Sequence, residues 1–414
     1  MKSVERFAHL GLAPADILLP NCNLSKWSVI ACDQFTAQPD YWRRVEERVG
    51  DSPSSLRLIL PEARLRGEDE TAGAERIHAA MQRYLEQNLF YACPDSMVYV
   101  ERAVSGGVRH GLVCRIDLEE YDYHPGCRAL IRATERTVLE RIPPRVKVRR
   151  GAPLELPHTM ILMDDGARPL FSRLTARREQ MEKLYGFSLM EGGGRIDGWR
   201  VDAETMKGLA EDLAFLRRDT EMLFAVGDGN HSLAAAKAIY EEEKARRPRE
   251  EWLSLPSRWA LAEVVSLNDT GVQFLPIHRI VFGVDGEALL AELQAALPDR
   301  EDGASKNASI QWLCRGRCGT LNVALPDDVL PVEWLQESLD QYVARHGGSM
   351  DYIHDPGAVE ELSLQTRAIG FLLPPFPRAA LFPYVKRRGA LPRKTFSIGC
   401  SRDKRYYLEA RALF

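Results

Sequence analysis

Residues 224–232 read Phe224-Ala225-Val226-Gly227-Asp228-Gly229-Asn230-His231-Ser232, and an alanine-rich segment runs on from Leu233 to Ile239. An apolar run that stops at a polar, glycine-broken turn ahead of an amphipathic segment reads as strand, loop, helix. The glycines permit a tight turn and close backbone approach, Asn230 or Ser232 can cap the helix, and the amides at its start form an anion site. Gly227, Gly229, Asn230 and Ser232 are therefore the expected phosphate holders. Asp228 and His231 add a carboxylate and an imidazole within one turn, able to hold a metal ion or move a proton. Such turns also occur for backbone reasons alone, with the histidine merely hydrogen-bonded in place. The spacing is neither G-x-G-x-x-G nor a Walker loop closed by G-K-[ST], which excludes those two phosphate fingerprints.

Working outward, strand-like and amphipathic helical runs alternate along the whole chain, which excludes all-helical and all-β folds. The patterns predict helices over 41–49, 72–88, 128–140, 173–185, 203–217, 233–246, 287–296 and 332–346. They predict strands over 97–104, 111–117, 159–163, 222–226, 259–267, 310–314, 321–325 and 369–373. The expected fold is α/β or α+β, with mixed sheets, flanking helices and two lobes meeting at a cleft near residues 227–232. With 414 residues the chain is long enough for about two domains. The triple glycine Gly192-Gly193-Gly194 reads as a linker, a hairpin turn or a flap; taken as a linker, it places the domains at 1–190 and 195–414. Gly106-Gly107 reads as a hairpin turn between two strands.

A net charge of −4 offers no global basic field for nucleic acid or an anionic membrane. No apolar stretch approaches the length needed to span a bilayer, and residues 1–12 carry charges rather than an apolar signal core, so a cytoplasmic location is expected. Eight cysteines scattered over so long a chain are not a disulfide scaffold. Cys314 and Cys318 form a lone C-x3-C on a hairpin without a second ligand pair, so no structural zinc is expected.

Other residues qualify as chemical groups. Asp33 follows the apolar run Val29-Ile30-Ala31 and falls at a strand end, where carboxylates of α/β proteins face the cleft. Arg132 and Arg136 are spaced as an i, i+4 pair, with Glu135 between them. Arg279 presents a planar fork suited to phosphate or carboxylate, and Lys394 sits in a turn after Leu391-Pro392. His158 and His124 lack partners at ligand spacing, and neither H-E-x-x-H nor G-x-S-x-G occurs, which excludes those zinc protease and serine hydrolase signatures.

The segment from Gly227 to Lys237, GDGNHSLAAAK, resembles the D-G-H/N-H-R/S motif of a bacterial and archaeal family catalogued as domain of unknown function 1015. Further landmarks fall in that family's order: Ala31-Cys32-Asp33-Gln34, Thr134-Glu135-Arg136-Thr137, Pro276-Ile277-His278-Arg279 and Leu391-Pro392-Arg393-Lys394-Thr395. The central motif is in turn similar to the G-x-H-R box of the ParB and sulfiredoxin superfamily, with Ser232 at the position of the box arginine. Members of that superfamily bind nucleotide phosphates on this loop and include kinases of free serine. The resemblance implies a phosphoryl-transfer enzyme using ATP or ADP with Mg²⁺, acting on a small metabolite such as free serine. Asp228, His231 and Asp33 would be its catalytic groups, Asp228 also a metal ligand, and Arg132, Glu135, Arg136, Arg279 and Lys394 its substrate contacts. The alternatives are a non-catalytic nucleotide or small-ligand sensor and a phosphatase of phosphoserine-like esters. No nucleic-acid or membrane partner is expected, and a homodimer is compatible with this reading.

Overall fold

The strand Phe224–Asp228 runs parallel to Ile131–Ala133 and antiparallel to Met160–Met163. Phe224, Ala225 and Val226 are buried, as a strand covered on both faces requires. These belong to a ten-stranded mixed sheet. Its order is Glu182–Ser188, Arg195–Arg200, Val98–Val104, Gly107–Asp117, Trp259–Ser266, Met160–Met163, Phe224–Asp228, Ile131–Ala133 and Tyr121–Asp122, with Leu12–Ala13 added against Gly107–Asp117. The computed structural model describes residues 3–7, 9–64, 70–218, 220–297, 306–326 and 329–413.

Alternation along the strands sends side chains to two cores. Tyr99, Leu112 and Cys114 pack with Leu174, Leu213 and Leu233 from the helices Leu170–Arg177, Ala203–Arg218 and Asn230–Lys244. Val98, Val100 and Val113 pack on the other face with Trp42, Val45 and Ile77 from Pro39–Val49 and Glu70–Glu86. The chain is thus a mixed α/β protein, as its alternating pattern requires.

The chain divides into two compact units. The first comprises Met1–Gln273, Val385–Gly389 and Ser401–Phe414; the second, Phe274–Tyr384 and Ala390–Cys400. The second has its own antiparallel five-stranded sheet, ordered Arg317–Leu325, Lys306–Cys314, Ala368–Leu372, His278–Phe282, Ser349–Ile353. Leu289, Leu335, Leu339 and Phe371 lie in its core. The triple glycine falls inside the first unit, in the turn between the antiparallel strands Glu182–Ser188 and Arg195–Arg200. A side chain at Gly193 would lie 2.5 Å from the Tyr406 ring, so this glycine is required by close packing.

Two expected helices are corrected. Residues 128–140 form the short strand Ile131–Ala133, a turn and a single 3₁₀ turn at Leu139–Arg141. Pairing with Phe224–Val226 outweighs the helical spacing of Arg132 and Arg136, and Thr134 Oγ1 anchors the strand end by donating to the Val226 carbonyl at 2.7 Å. The helix expected over 173–185 stops at Arg177, and Glu182–Ser188 continues as an outer strand of the sheet. The hairpin at Gly106-Gly107 and that carrying Cys314 and Cys318 form as expected.

Candidate functional site

The strand Phe224–Asp228 ends in a bulge, where Asp228 pairs with Met160 out of the register of Val226. Gly229 then adopts φ 77°, and a Cβ there would sit 2.8 Å from Thr159 Oγ1 and 2.9 Å from its Cα. Both the left-handed conformation and the contact demand glycine. The helix Asn230–Lys244 starts immediately, burying Leu233, Ala234, Ala235 and Ala236. Its Ser232 and Leu233 amides donate to the Gly229 carbonyl at 3.0 Å. The amides of Asn230 and His231 precede the point at which helical i−4 carbonyls become available.

Around this turn the first unit assembles residues from distant parts of the chain. Asp228 accepts the Gly229 N–H on Oδ1 at 2.9 Å and lies 3.2 Å from the Lys404 ammonium on Oδ2. Ser232 Oγ is 3.2 Å from His158 Nε2, and His158 Nδ1 is 2.8 Å from the Tyr407 hydroxyl. That hydroxyl accepts the Cys32 N–H at 3.3 Å. Asn230 Nδ2 donates to the Glu135 carbonyl at 3.4 Å, while its Oδ1 is out of solvent without a hydrogen-bond partner. His231 Nε2 accepts the Val138 N–H at 3.2 Å.

Asp33 joins this group. Burial pushes its carboxyl up, but the His158 imidazole, the Gln34 amide at 3.1 Å, Lys404 and Arg145 outweigh it and hold the group below the usual carboxylate range. Next to it the Cys32 thiol is pushed up to about 12, chiefly by burial and by the Asp33 charge, which makes it a poor nucleophile. Among the described residues no group of three or more His, Cys, Asp or Glu side chains is placed to hold a metal ion. Asp228 adjoins the helix start, and Asp33 is linked to the same group electrostatically through His158 and Lys404.

The remaining expected contacts occupy other settings. Arg132 is buried in its strand, with Nε donating to the Ala129 carbonyl at 2.9 Å and Nη2 3.4 Å from Glu221. Arg136 is exposed in the following turn. Arg279 belongs to the second unit and is fully buried; its guanidinium donates to Gln336 Oε1 at 2.9 Å and to the carbonyls of Ile277, Lys394 and Arg393. Lys394, in the same unit, is exposed with φ 56°. Three groups that sequence reasoning did not assign join the loop: His158 and Lys404 directly, and Tyr407 through His158. Only the histidine left a signal, following Pro157 at the start of a strand.

Over residues 13–351 the sequence matches the profile of a family described as a protein of unknown function, DUF1015. The chain belongs to that family. No curated protein matches it. Solved structures with a similar course include a conserved hypothetical protein from Pyrococcus furiosus, at 12% identity and TM-score 0.35, covering 72% of this chain and 90% of that one. A free serine kinase variant in complex with AMP, at 11% identity and TM-score 0.40, covers 73% and 92%. SbnI with a C-terminal truncation from Staphylococcus aureus, at 12% identity and TM-score 0.34, covers 69% and 82%. Among the described residues no helix is long and apolar enough to cross a membrane.

Proposed function

We propose that this member of the family is a phosphoryl-transfer enzyme acting on a small hydroxyl-bearing metabolite, with its site at the start of the helix Asn230–Lys244. The observation that carries the reading is the meeting of Asp228 with Lys404 and of Ser232 with His158 at one strand end, beside an Asp33 held ionised. The helix-start amides and Lys404 offer positive charge where a transferring phosphoryl group spreads negative charge over its oxygens. Asp33 takes the proton from the substrate hydroxyl as the hydroxyl oxygen bonds to the terminal phosphorus of the nucleotide and the bond from that phosphorus to the bridging oxygen breaks, the shortened nucleotide leaving; this role of Asp33 needs the ionised form. The likeness of Gly227–Ser232 to nucleotide-phosphate boxes makes ATP or ADP the donor in this reading. Mg²⁺ arriving with the nucleotide would find a protein oxygen on Asp228.

The test is ³¹P NMR of the protein with ATP or ADP and a panel of hydroxy amino acids and alcohols. Transfer to one acceptor is expected, and Asp33→Asn should lower its turnover by about 10²–10⁴ with nucleotide affinity little changed. Nucleotide binding without turnover would establish the sensor alternative, and release of phosphate from added phosphoserine the phosphatase. Neither binding nor transfer would overturn the proposal.

A further inference from the structure

Behind Ser232 and His158 the first unit contains a pocket of about 170 Å³. Its uncharged polar groups are unevenly placed. Ser232, His158, Tyr407 and Cys32 stand at the end shared with the loop, whereas Leu58, Met81, Val148, Leu156, Ala236 and Leu261 contribute hydrocarbon walls. The charged side chains along those walls are matched to one another. Glu155 lies 2.6 Å from Arg149, pairs with Arg411 and accepts the Leu261 N–H at 2.9 Å, and Arg145 pairs with Glu62. A polar ring or a second charged group entering here would find its partners already engaged and would lose its hydration without replacement.

From this polarity gradient we propose that the small-molecule substrate is amphiphilic. Its hydroxyl, or the phosphate ester made from it, sits at Ser232 and His158, and an aliphatic body runs into the pocket. The inference rests on the proposed site and narrows its substrate class: free serine has no carbon body to fill the space, whereas each methylene buried there is worth about fourfold in affinity, from about 0.8 kcal/mol.

The experiment is calorimetric titration of the full chain with ethyl, butyl, hexyl and octyl phosphate, which reads binding without requiring turnover. Affinity should rise about fourfold per carbon until the pocket is full. Two variants at partly exposed wall positions should each reduce that dependence to within about twofold across the series: Val148→Trp, which fills the space, and Leu60→Gln, which makes a wall polar. Their melting temperatures establish that each is folded. Equal affinity for ethyl and octyl phosphate, or a chain-length dependence that survives in whichever variant folds, overturns the inference. Chain-length-dependent binding with no phosphoryl transfer to any alcohol would retain the pocket assignment and remove the transferase reading; transfer to serine without chain-length dependence would do the reverse.

Discussion

His231 and Asp33 approach the same loop from different chemistry. The His231 ring is tied through Nε2 to the Val138 N–H, so its exchangeable proton is on Nδ1 in the neutral form. His231→Asn keeps a hydrogen-bonding group of similar size and removes the ring. If His231 moves a proton, turnover falls by about 10²–10⁴ with the melting temperature unchanged, measured on one preparation; unchanged turnover would leave the residue as a loop tie alone. For Asp33 the sign follows from its lowered folded value. Its interactions stabilise the fold above the unfolded carboxylate range near pH 3.9 and are lost as pH falls through the lower folded pKa. The Asp33 limb of a pH–rate profile therefore belongs below that range. Neither partner set was readable from sequence, because His158 and Lys404 reach Asp33 only through the fold. The glycine turn itself was readable, since Gly229 takes a left-handed conformation, but the cap was not: Gly229 stands at the N-cap and neither Asn230 nor Ser232 caps the helix with its side chain.

At the level of elements, the strands Gly107–Asp117 and Trp259–Ser266 are held in register partly by the turn that follows the second. Asp269 in that turn accepts the His110 N–H at 3.2 Å and the Gly271 N–H at 2.7 Å, and lies 2.7 Å from His110 Nδ1. The hydrogen bond and charge of Asp269 outweigh burial and raise the His110 pKa above its ordinary value. A raised folded pKa stabilises fully below the unfolded value near 6.5 and ceases to do so as pH rises through the folded one. Urea unfolding between pH 5.5 and 8.5 should show Asp269→Asn losing more stability at the acid end than at the alkaline end; a uniform loss would mean that His110 carries no charge in the pair. The element most misread from sequence is the segment 128–140. Arg132 and Arg136 have helical spacing, but Ile131 and Ala133 are spaced equally well for a strand buried beside Ala225. Local periodicity does not separate these outcomes when the run is three residues long.

For the whole molecule, the last segment of the chain closes the first unit. Ser401–Phe414 brings Lys404 to Asp228 and Tyr407 to His158, while Arg405 joins Glu263 on a central strand, lies 2.5 Å from Glu409 and donates to the Pro157 carbonyl at 3.0 Å. Burial pushes the Glu263 carboxyl up, but Arg405, Arg109 and Arg102 outweigh it and keep it ionised. Glu263→Gln breaks a fully buried pair and should cost about 3–5 kcal/mol in urea unfolding, with Lys404 and His158 displaced together; a loss below about 1 kcal/mol would show that this network does not hold the segment. By itself the sequence determined the mixed α/β class, the hairpins at Gly106-Gly107 and Cys314–Cys318, and the strand–turn–helix at residues 224–239. Each of these follows from short-range periodicity and from backbone conformations that particular residues permit. The tertiary structure alone decided that Arg279 spends its fork on Gln336 and neighbouring carbonyls, that the triple glycine lies within a unit, and that Lys404, His158 and Tyr407 complete the loop. Those outcomes depend on pairing between residues far apart in the chain, where burial and the need to match every desolvated charge select the partners.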